Sequence, residues 1–403
     1  MSANYSAYSL NFLSGLILAR ALGLEQRGTL AFISSFFLIT LLLAPLNSRN
    51  GSSFASIKNS NTVSGATHFP IKRLSLWVFI ITIGCTFLFN LFLFGKIDNN
   101  YLIFFSISNL TCGLTFYIYF AEGIYRVKDK ILDLAVLRFL GLGVPSFYIF
   151  LLFALEKVEV KLILLSQFLA VVSCFVFVIL RRPLDINFNY DEYSKVVHKT
   201  FPGHVLEYLA NVIIYLSIAF TSSNITIGYF AIAMSFAMVA DTFFPVVESR
   251  MLNNMNTSKT NGNKLTTIPL INAIKEMIIS QISFIPLALL IPIIYGNEYI
   301  ESVNFAIVLI LAKCNYAIVK LCNNYALVFN RFDIPIRLNT IYILIYLFLF
   351  YVAQLIDLQQ SWQIASLISS FLVASFGFVL IQKFNSRRII ELERNRNSGN
   401  KIV

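Results

Sequence analysis

The stretch Leu18-Ala19-Arg20-Ala21-Leu22-Gly23-Leu24-Glu25-Gln26-Arg27-Gly28 closes one apolar run and opens the next. Arg20, Glu25 and Arg27 stand out in a region otherwise nearly free of charge. Two long apolar segments joined by so short a polar turn read as a pair of helices passing back through the same layer. A fainter copy, Phe220-Thr221-Ser222-Ser223-Asn224-Ile225-Thr226-Ile227-Gly228, lies 200 residues on and carries no charge at all.

Composition explains what that layer is. Hydrophobic residues make up 57% of the 403 residues and charged residues only 13%. A soluble domain would carry about 25% charge. Runs of the roughly 20 apolar residues that a spanning helix needs recur from end to end. About twelve are predicted, near 3–21, 29–46, 74–94, 101–120, 132–155, 160–180, 201–221, 225–247, 273–295, 302–324, 338–356 and 362–382. The class is an all-α polytopic membrane protein. The first run lacks a basic start and merges into the chain, so no cleavable leader is expected. The five cysteines (Cys85, Cys112, Cys174, Cys314 and Cys322) sit inside apolar runs, in neither metal-ligand nor disulfide spacing.

The net charge of +11 would point to nucleic acid in a soluble protein. Here it reads as topology. Of the 31 Lys and Arg, 23 follow even-numbered spans and only five follow odd-numbered ones. By the positive-inside rule both termini are cytoplasmic. The connections on the other side, such as 95–100, 221–224 and 296–301, are too short to fold as a domain.

The chain also reads as duplicated. A shift of 200 places Gly28 on Gly228, Ala31 on Ala231, Ser35 on Ser235, Phe36 on Phe236 and Pro45 on Pro245. Each Gly opens the second span of its half, and each Pro stands near the far end, where it can kink the helix. The expected organisation is a six-helix lobe over 1–180, a cytoplasmic linker over 181–200, a second lobe over 201–382 and a basic tail over 383–403. Two parallel halves around a central cavity are a transporter design. Neither catalytic residues, nor a metal site, nor a cofactor is expected, and no G-x-x-x-x-G-K-[ST] phosphate loop is present.

The run Leu18-Ala19-Arg20-Ala21-Leu22-Gly23, followed by Gly28, resembles the A-R-x-L-G-x-x-x-x-G signature of polysaccharide exporters. The segment Asn47 to Ala55 and the run Tyr125-Arg126-Val127-Lys128 are similar to that family as well. These are Wzx-type O-antigen flippases of the multidrug/oligosaccharidyl-lipid/polysaccharide (MOP) exporter superfamily. The resemblance implies a flippase in the bacterial inner membrane. Its substrate would be an undecaprenyl-diphosphate-linked oligosaccharide, moved from the cytoplasmic to the outer leaflet. Its partners would be membrane lipids, a polysaccharide polymerase and a chain-length regulator.

A diphosphate-linked sugar is large and anionic and needs a wet, cationic cavity. A charge at the bilayer centre costs about 2.5–3.5 kcal/mol, so intramembrane cations are functional candidates. Lys313 and Lys320 lie seven residues apart in span 10, roughly on one face, and Arg138 enters span 5 by about two turns. The competing reading is that these cations snorkel to headgroups or pair with acids. Arg49 and Arg250 end spans 2 and 8 on the cytoplasmic side, where they would meet the headgroup on entry; Arg20 would close the opposite side. Glu207 and Asp241 are the candidates for a coupling ion, with Asp133 and His204 as neighbouring titratable groups.

Two other functions fit less well. An ion-coupled multidrug antiporter of the same superfamily would want a carboxylate in the first span, which has none. A membrane glycosyltransferase or polymerase would want a sizeable loop outside the membrane, and those loops are short.

Overall fold

A computed structural model describes residues 2–43, 69–94, 98–127, 130–181, 190–241, 243–260, 267–329, 331–356 and 361–399. Among them nine helices are long and apolar enough to cross a membrane, which makes the chain a multi-pass membrane protein. The order is α1 (Ser2–Leu43), α2 (Phe69–Leu93), α3 (Asn99–Leu110), α4 (Thr115–Val127), α5 (Ile131–Ala154), α6 (Val160–Arg181), α7 (Tyr190–Thr221) and α8 (Asn224–Asp241). Then follow α9 (Phe244–Thr260), α10 (Ile268–Ile282), α11 (Ile285–Ala288), α12 (Ile291–Tyr295), α13 (Glu301–Val328), α14 (Asp333–Leu355) and α15 (Ser361–Gly399). Two compact units result. One is Met1–Ile232 with Ile294–Gly296; the other is Ala233–Ile293 with Asn297–Val403.

The first two expected spans are two helical segments within α1 that meet directly at Gly23. Helical structure runs through Leu18 to Gly28 and bends at Gly23, whose backbone lies at φ 70° and ψ 176°. That region is essentially closed to residues with a Cβ and costs them about 1–3 kcal/mol. The polar residues read as a loop are good helix formers, and only Gly23 breaks the pattern. Gly23→Ala is expected to lower stability by that amount, measurable as a drop in thermal unfolding temperature of the detergent-solubilised protein.

Elsewhere the spans are longer or more broken than the apolar runs imply. α7 begins at Tyr190 and α9 occupies Phe244–Thr260, both in segments read as connections, and α15 continues through the expected tail. These stretches are polar, and apart from Pro202 and Gly203 in α7, the N-terminal Pro245 of α9 and the terminal Gly399 of α15 they hold no proline or glycine to stop a helix. The ninth expected span divides into α10, α11 and α12. Pro286 and Pro292 occupy the second positions of α11 and α12, where their missing N–H groups end the preceding ladder. A turn of 3-10 helix at Thr111–Leu114 separates α3 from α4.

In the first unit, α1 packs along α5, and Ser14 Oγ meets Ser146 Oγ at 3.4 Å in a buried contact. This polar position of the first span therefore faces protein. α2 and α3 are tied by Asn90 Nδ2 donating to Ser106 Oγ at 2.7 Å and Asn109 Nδ2 donating to Thr86 Oγ1 at 2.8 Å. Such interhelical bonds in membranes contribute about 0.6 kcal/mol each. Phe36 gathers Phe89, Phe92 and Phe220, with ring centroids 5.3, 5.6 and 6.0 Å away. In the second unit, α13, α14 and α15 share a polar seam. Tyr316 Oη donates to Asn339 Oδ1 at 3.1 Å, and Asn315 Nδ2 donates to Ser370 Oγ at 3.4 Å.

The two glycines matched by the 200-residue shift meet each other's segments. A Cβ on Gly28 would fall inside the backbone carbonyl of Asn224, and a Cβ on Gly228 would overlap the carbonyl of Leu24. Residue 28 meets 224, and 228 meets 24. This reciprocity is what a local twofold relation produces, and it does not depend on how the sequences are aligned. Asn224 Nδ2 adds a bond to Thr29 Oγ1 at 3.3 Å.

Candidate functional site

In the first unit the expected cations are engaged. Arg20, exposed on α1, donates from Nη2 to the carbonyl oxygen of Ile294 at 2.6 Å. α12 ends at Tyr295, and the last carbonyls of a helix lack partners of their own. Arg20 therefore acts as a cap on α12 from 274 residues away. Arg138 on α5 reaches Glu122 Oε1 on α4 at 3.4 Å. Glu122 is 5% exposed. One turn nearer the start of α5, Asp133 pairs with Arg181 at 3.2 Å. The Arg181 guanidinium also lies over the Phe177 ring. Glu207 sits half-buried on α7, and its backbone carbonyl accepts a bond from Asn211 at 2.8 Å.

The second unit collects the other expected residues around α13. Positions 313, 320 and 324 fall within about 40° of one another on a helix that turns 100° per residue. Lys313, Lys320 and Asn324 therefore share one face, and both lysines are half-buried. α13 is also the most buried of the apolar helices, with 56% of its window enclosed. α9 supplies the facing groups. Glu248 Oε1 accepts from Asn324 Nδ2 at 2.6 Å. The Lys320 ammonium lies 5.4 Å from the centroids of both Phe244 and Tyr316. Among the described residues it makes no ion pair. Two ring faces hold it by about 0.5–2 kcal/mol each without neutralising it. Arg250, by contrast, is exposed on α9 and pairs with Glu276 of α10.

Lys320 thus meets two aromatic rings on an apolar helix. Arg138 and Arg250 have carboxylate partners, Glu122 and Glu276. Arg49 and the side chain of Asp241 lie outside the described residues. Glu122, Glu248 and Phe244 are not among the residues that the sequence reading points to. Glu122 stands just beyond the expected end of span 4, although the cost of burying a charge would have singled it out. No group of three or more His, Cys, Asp or Glu that could hold a metal occurs among the described residues.

No protein-family model matches the sequence, and no curated protein does. Solved structures do match along nearly the whole chain. A structure titled "Lipid II flippase MurJ, inward closed conformation" is similar with a TM-score of 0.71 at 15% identity, covering 94% of this chain and 86% of that one. The MATE multidrug transporter DinF-BH gives 0.71 at 14% identity, with 94% and 92% covered. An outward-facing MATE family transporter of the MOP superfamily gives 0.69 at 15%, with 98% and 94% covered. The chain has the MurJ/MATE fold. Its expected all-α, roughly twelve-helix class is that of these neighbours, and the long kinked α1, the broken α10–α12 segment and the reciprocal glycines are features of this chain within it.

Proposed function

We propose that this chain is a flippase for undecaprenyl-diphosphate-linked oligosaccharide, a polysaccharide repeat unit of the O-antigen kind. It would carry the repeat unit from the cytoplasmic to the outer leaflet of a bacterial inner membrane. The observation that carries this reading is Lys320. Its ammonium lies between the rings of Phe244 and Tyr316, and Lys313 shares its helix face. A half-buried lysine beside aromatic rings suits an anionic glycolipid head: an ammonium attracts phosphate, and ring faces suit sugar. Whole-length likeness to a lipid II flippase supports the same reading.

In this scheme residues 1–180 and 201–382 form parallel six-helix lobes joined by 181–200, with 383–403 as a cytoplasmic tail. Rocking of the lobes exposes a central cavity to each face in turn. Arg49 and Arg250 receive the headgroup on the cytoplasmic side, Arg138 and Lys313 hold it, and Arg20 secures the opposite end. Glu207 and Asp241 bind the coupling ion. A polymerase and a chain-length regulator take the product onward.

A second reading is an ion-coupled multidrug antiporter, favoured by the MATE neighbours. Deleting the gene separates the two. The flippase reading expects lipid-linked repeat units to accumulate facing the cytoplasm and surface polysaccharide to vanish. Unchanged surface polysaccharide with altered drug resistance would establish the antiporter instead.

A further inference from the structure

A groove of about 440 Å³ opens between α2 and α3 in the first unit. Its volume is that of a small-molecule site, about 300–1,000 Å³. Both helices belong to membrane spans. Phe87, Leu91 and Phe94 of α2 and Ile103 of α3 line it and are 63%, 61%, 71% and 59% exposed. Side chains so little packed face lipid and can give way to a hydrocarbon chain.

The groove also has a polar rung. Asn90 and Ser106 line it and are joined by the 2.7 Å bond from Asn90 Nδ2 to Ser106 Oγ. Ser106 is satisfied, because it also donates to the carbonyl oxygen of Leu102 at 2.7 Å. Asn90 is not. An asparagine amide has two N–H groups and a carbonyl oxygen. Asn90 spends one N–H on Ser106, and its Oδ1, covered by neighbouring atoms, has no hydrogen-bond partner among the described residues. Farther from the turn between α2 and α3, the same device is complete. Asn109, fully buried, donates to Thr86 Oγ1 at 2.8 Å, and its oxygen faces the Cys112 thiol, with Sγ 4.0 Å away. Asn109 does not line the groove, and Asn90 does.

An incomplete amide is costly in hydrocarbon, where no water can complete it. A saturated chain in the groove would leave it incomplete. An ester could accept the spare N–H and offers nothing to the oxygen. A hydroxyl both donates and accepts, so it can serve either end of the amide. The depth is informative as well. At 1.5 Å per residue, Asn90 stands about 5 Å from the end of α2 and Ser106 about 10 Å from the start of α3. That level lies below a lipid head group and within the first carbons of its chains.

We propose that this groove is a lipid site selective for a hydrocarbon chain that carries a hydroxyl a few carbons below the head group. The chain lies along Phe87, Leu91, Phe94 and Ile103, which move aside to admit it. Its hydroxyl completes the Asn90 amide.

The test uses the full-length protein in nanodiscs of two phosphatidylglycerols in equal amounts, one with tetradecanoyl and one with 3-hydroxytetradecanoyl chains. After extraction into detergent and washing, the lipids that stay with the protein are counted by mass spectrometry. Wild type is expected to retain the hydroxylated lipid by about fivefold over the other, the effect of one or two net hydrogen bonds. Asn90→Leu keeps the groove apolar and removes the amide; the ratio should fall to about one. Leu91→Trp fills the groove from an exposed position, leaves Asn90 and Ser106 in place, and should lower the ratio as well. Equal retention of the two lipids by wild type overturns the proposal. So does an unchanged ratio in Asn90→Leu protein that unfolds at the wild-type temperature. If Asn90→Leu fails to fold, Leu91→Trp decides: a ratio that stays at the wild-type value places the preference elsewhere and overturns the site.

Discussion

Replacing Gly28 with alanine is expected to destabilise the protein by about 3 kcal/mol or more and to abolish export. The new methyl group would fall inside the backbone carbonyl of Asn224. A carbonyl held in a helix terminus cannot rotate away as a side chain can, so the segments themselves must separate. Overpacking of a close-packed interior costs about 1–3 kcal/mol even when side chains can yield. Separation would also break the Asn224–Thr29 bond. Gly228→Ala presses on the Leu24 carbonyl from the reciprocal side and should act in the same direction, with a smaller effect because the overlap is less deep. Gly15 and Gly84 supply the control, since neither has an atom within 4 Å of the space a Cβ would fill. Alanine at those helical positions should stabilise by roughly 0.5–1 kcal/mol through backbone entropy alone. Thermal unfolding of the four variants in detergent decides the matter. Equal behaviour of Gly28→Ala and Gly15→Ala would show that the contact between the two segments carries no stability.

The largest effect on activity is expected from Lys313→Ala combined with Lys320→Ala. A hydrogen bond to a charged group contributes about 1.5–3 kcal/mol. Loss of one such contact therefore slows export by tenfold to about a hundredfold, and loss of both by more. Lys320→Met is the sharper single variant. It retains a long apolar chain between Phe244 and Tyr316 and removes only the charge. Protein level should remain normal while lipid-linked repeat units accumulate. Lys320→Arg keeps the cation and the ring contacts and should restore most of the function. Normal surface polysaccharide with Lys320→Met at wild-type abundance would remove this lysine from the site.

Much of the fold can be read from the chain, because membrane helices leave a strong record. Apolar runs of spanning length and the alternation of Lys and Arg are local signals that add up over twelve segments. Gly28 and Gly228 stand out in the sequence because a close backbone approach tolerates no other residue there. What escapes is set by distant partners. Nothing near Arg20 indicates that its guanidinium will cap Ile294. Nothing near Lys320 indicates that Phe244, 76 residues earlier in the sequence, will help to cage it. The break within Leu18 to Gly28 is narrower than its polar residues suggest. Glu25, Gln26 and Arg27 are polar yet continue a helix readily, so their charge marks no break, and the break is confined to the backbone of Gly23. Glu122 is missed only because the apolar run ends two residues before it.

The Arg20 cap has a consequence for the order of synthesis. A ribosome adding about 5–20 residues per second reaches Ile294 roughly 15–55 seconds after Arg20 has emerged. Through that interval α1 must remain in the membrane with a guanidinium whose eventual partner does not yet exist. Its long side chain can meanwhile reach toward headgroup phosphates and water. The bond to Ile294 can close only when the last of the broken helices has been laid down, so this arginine reports that about three quarters of the chain is in place.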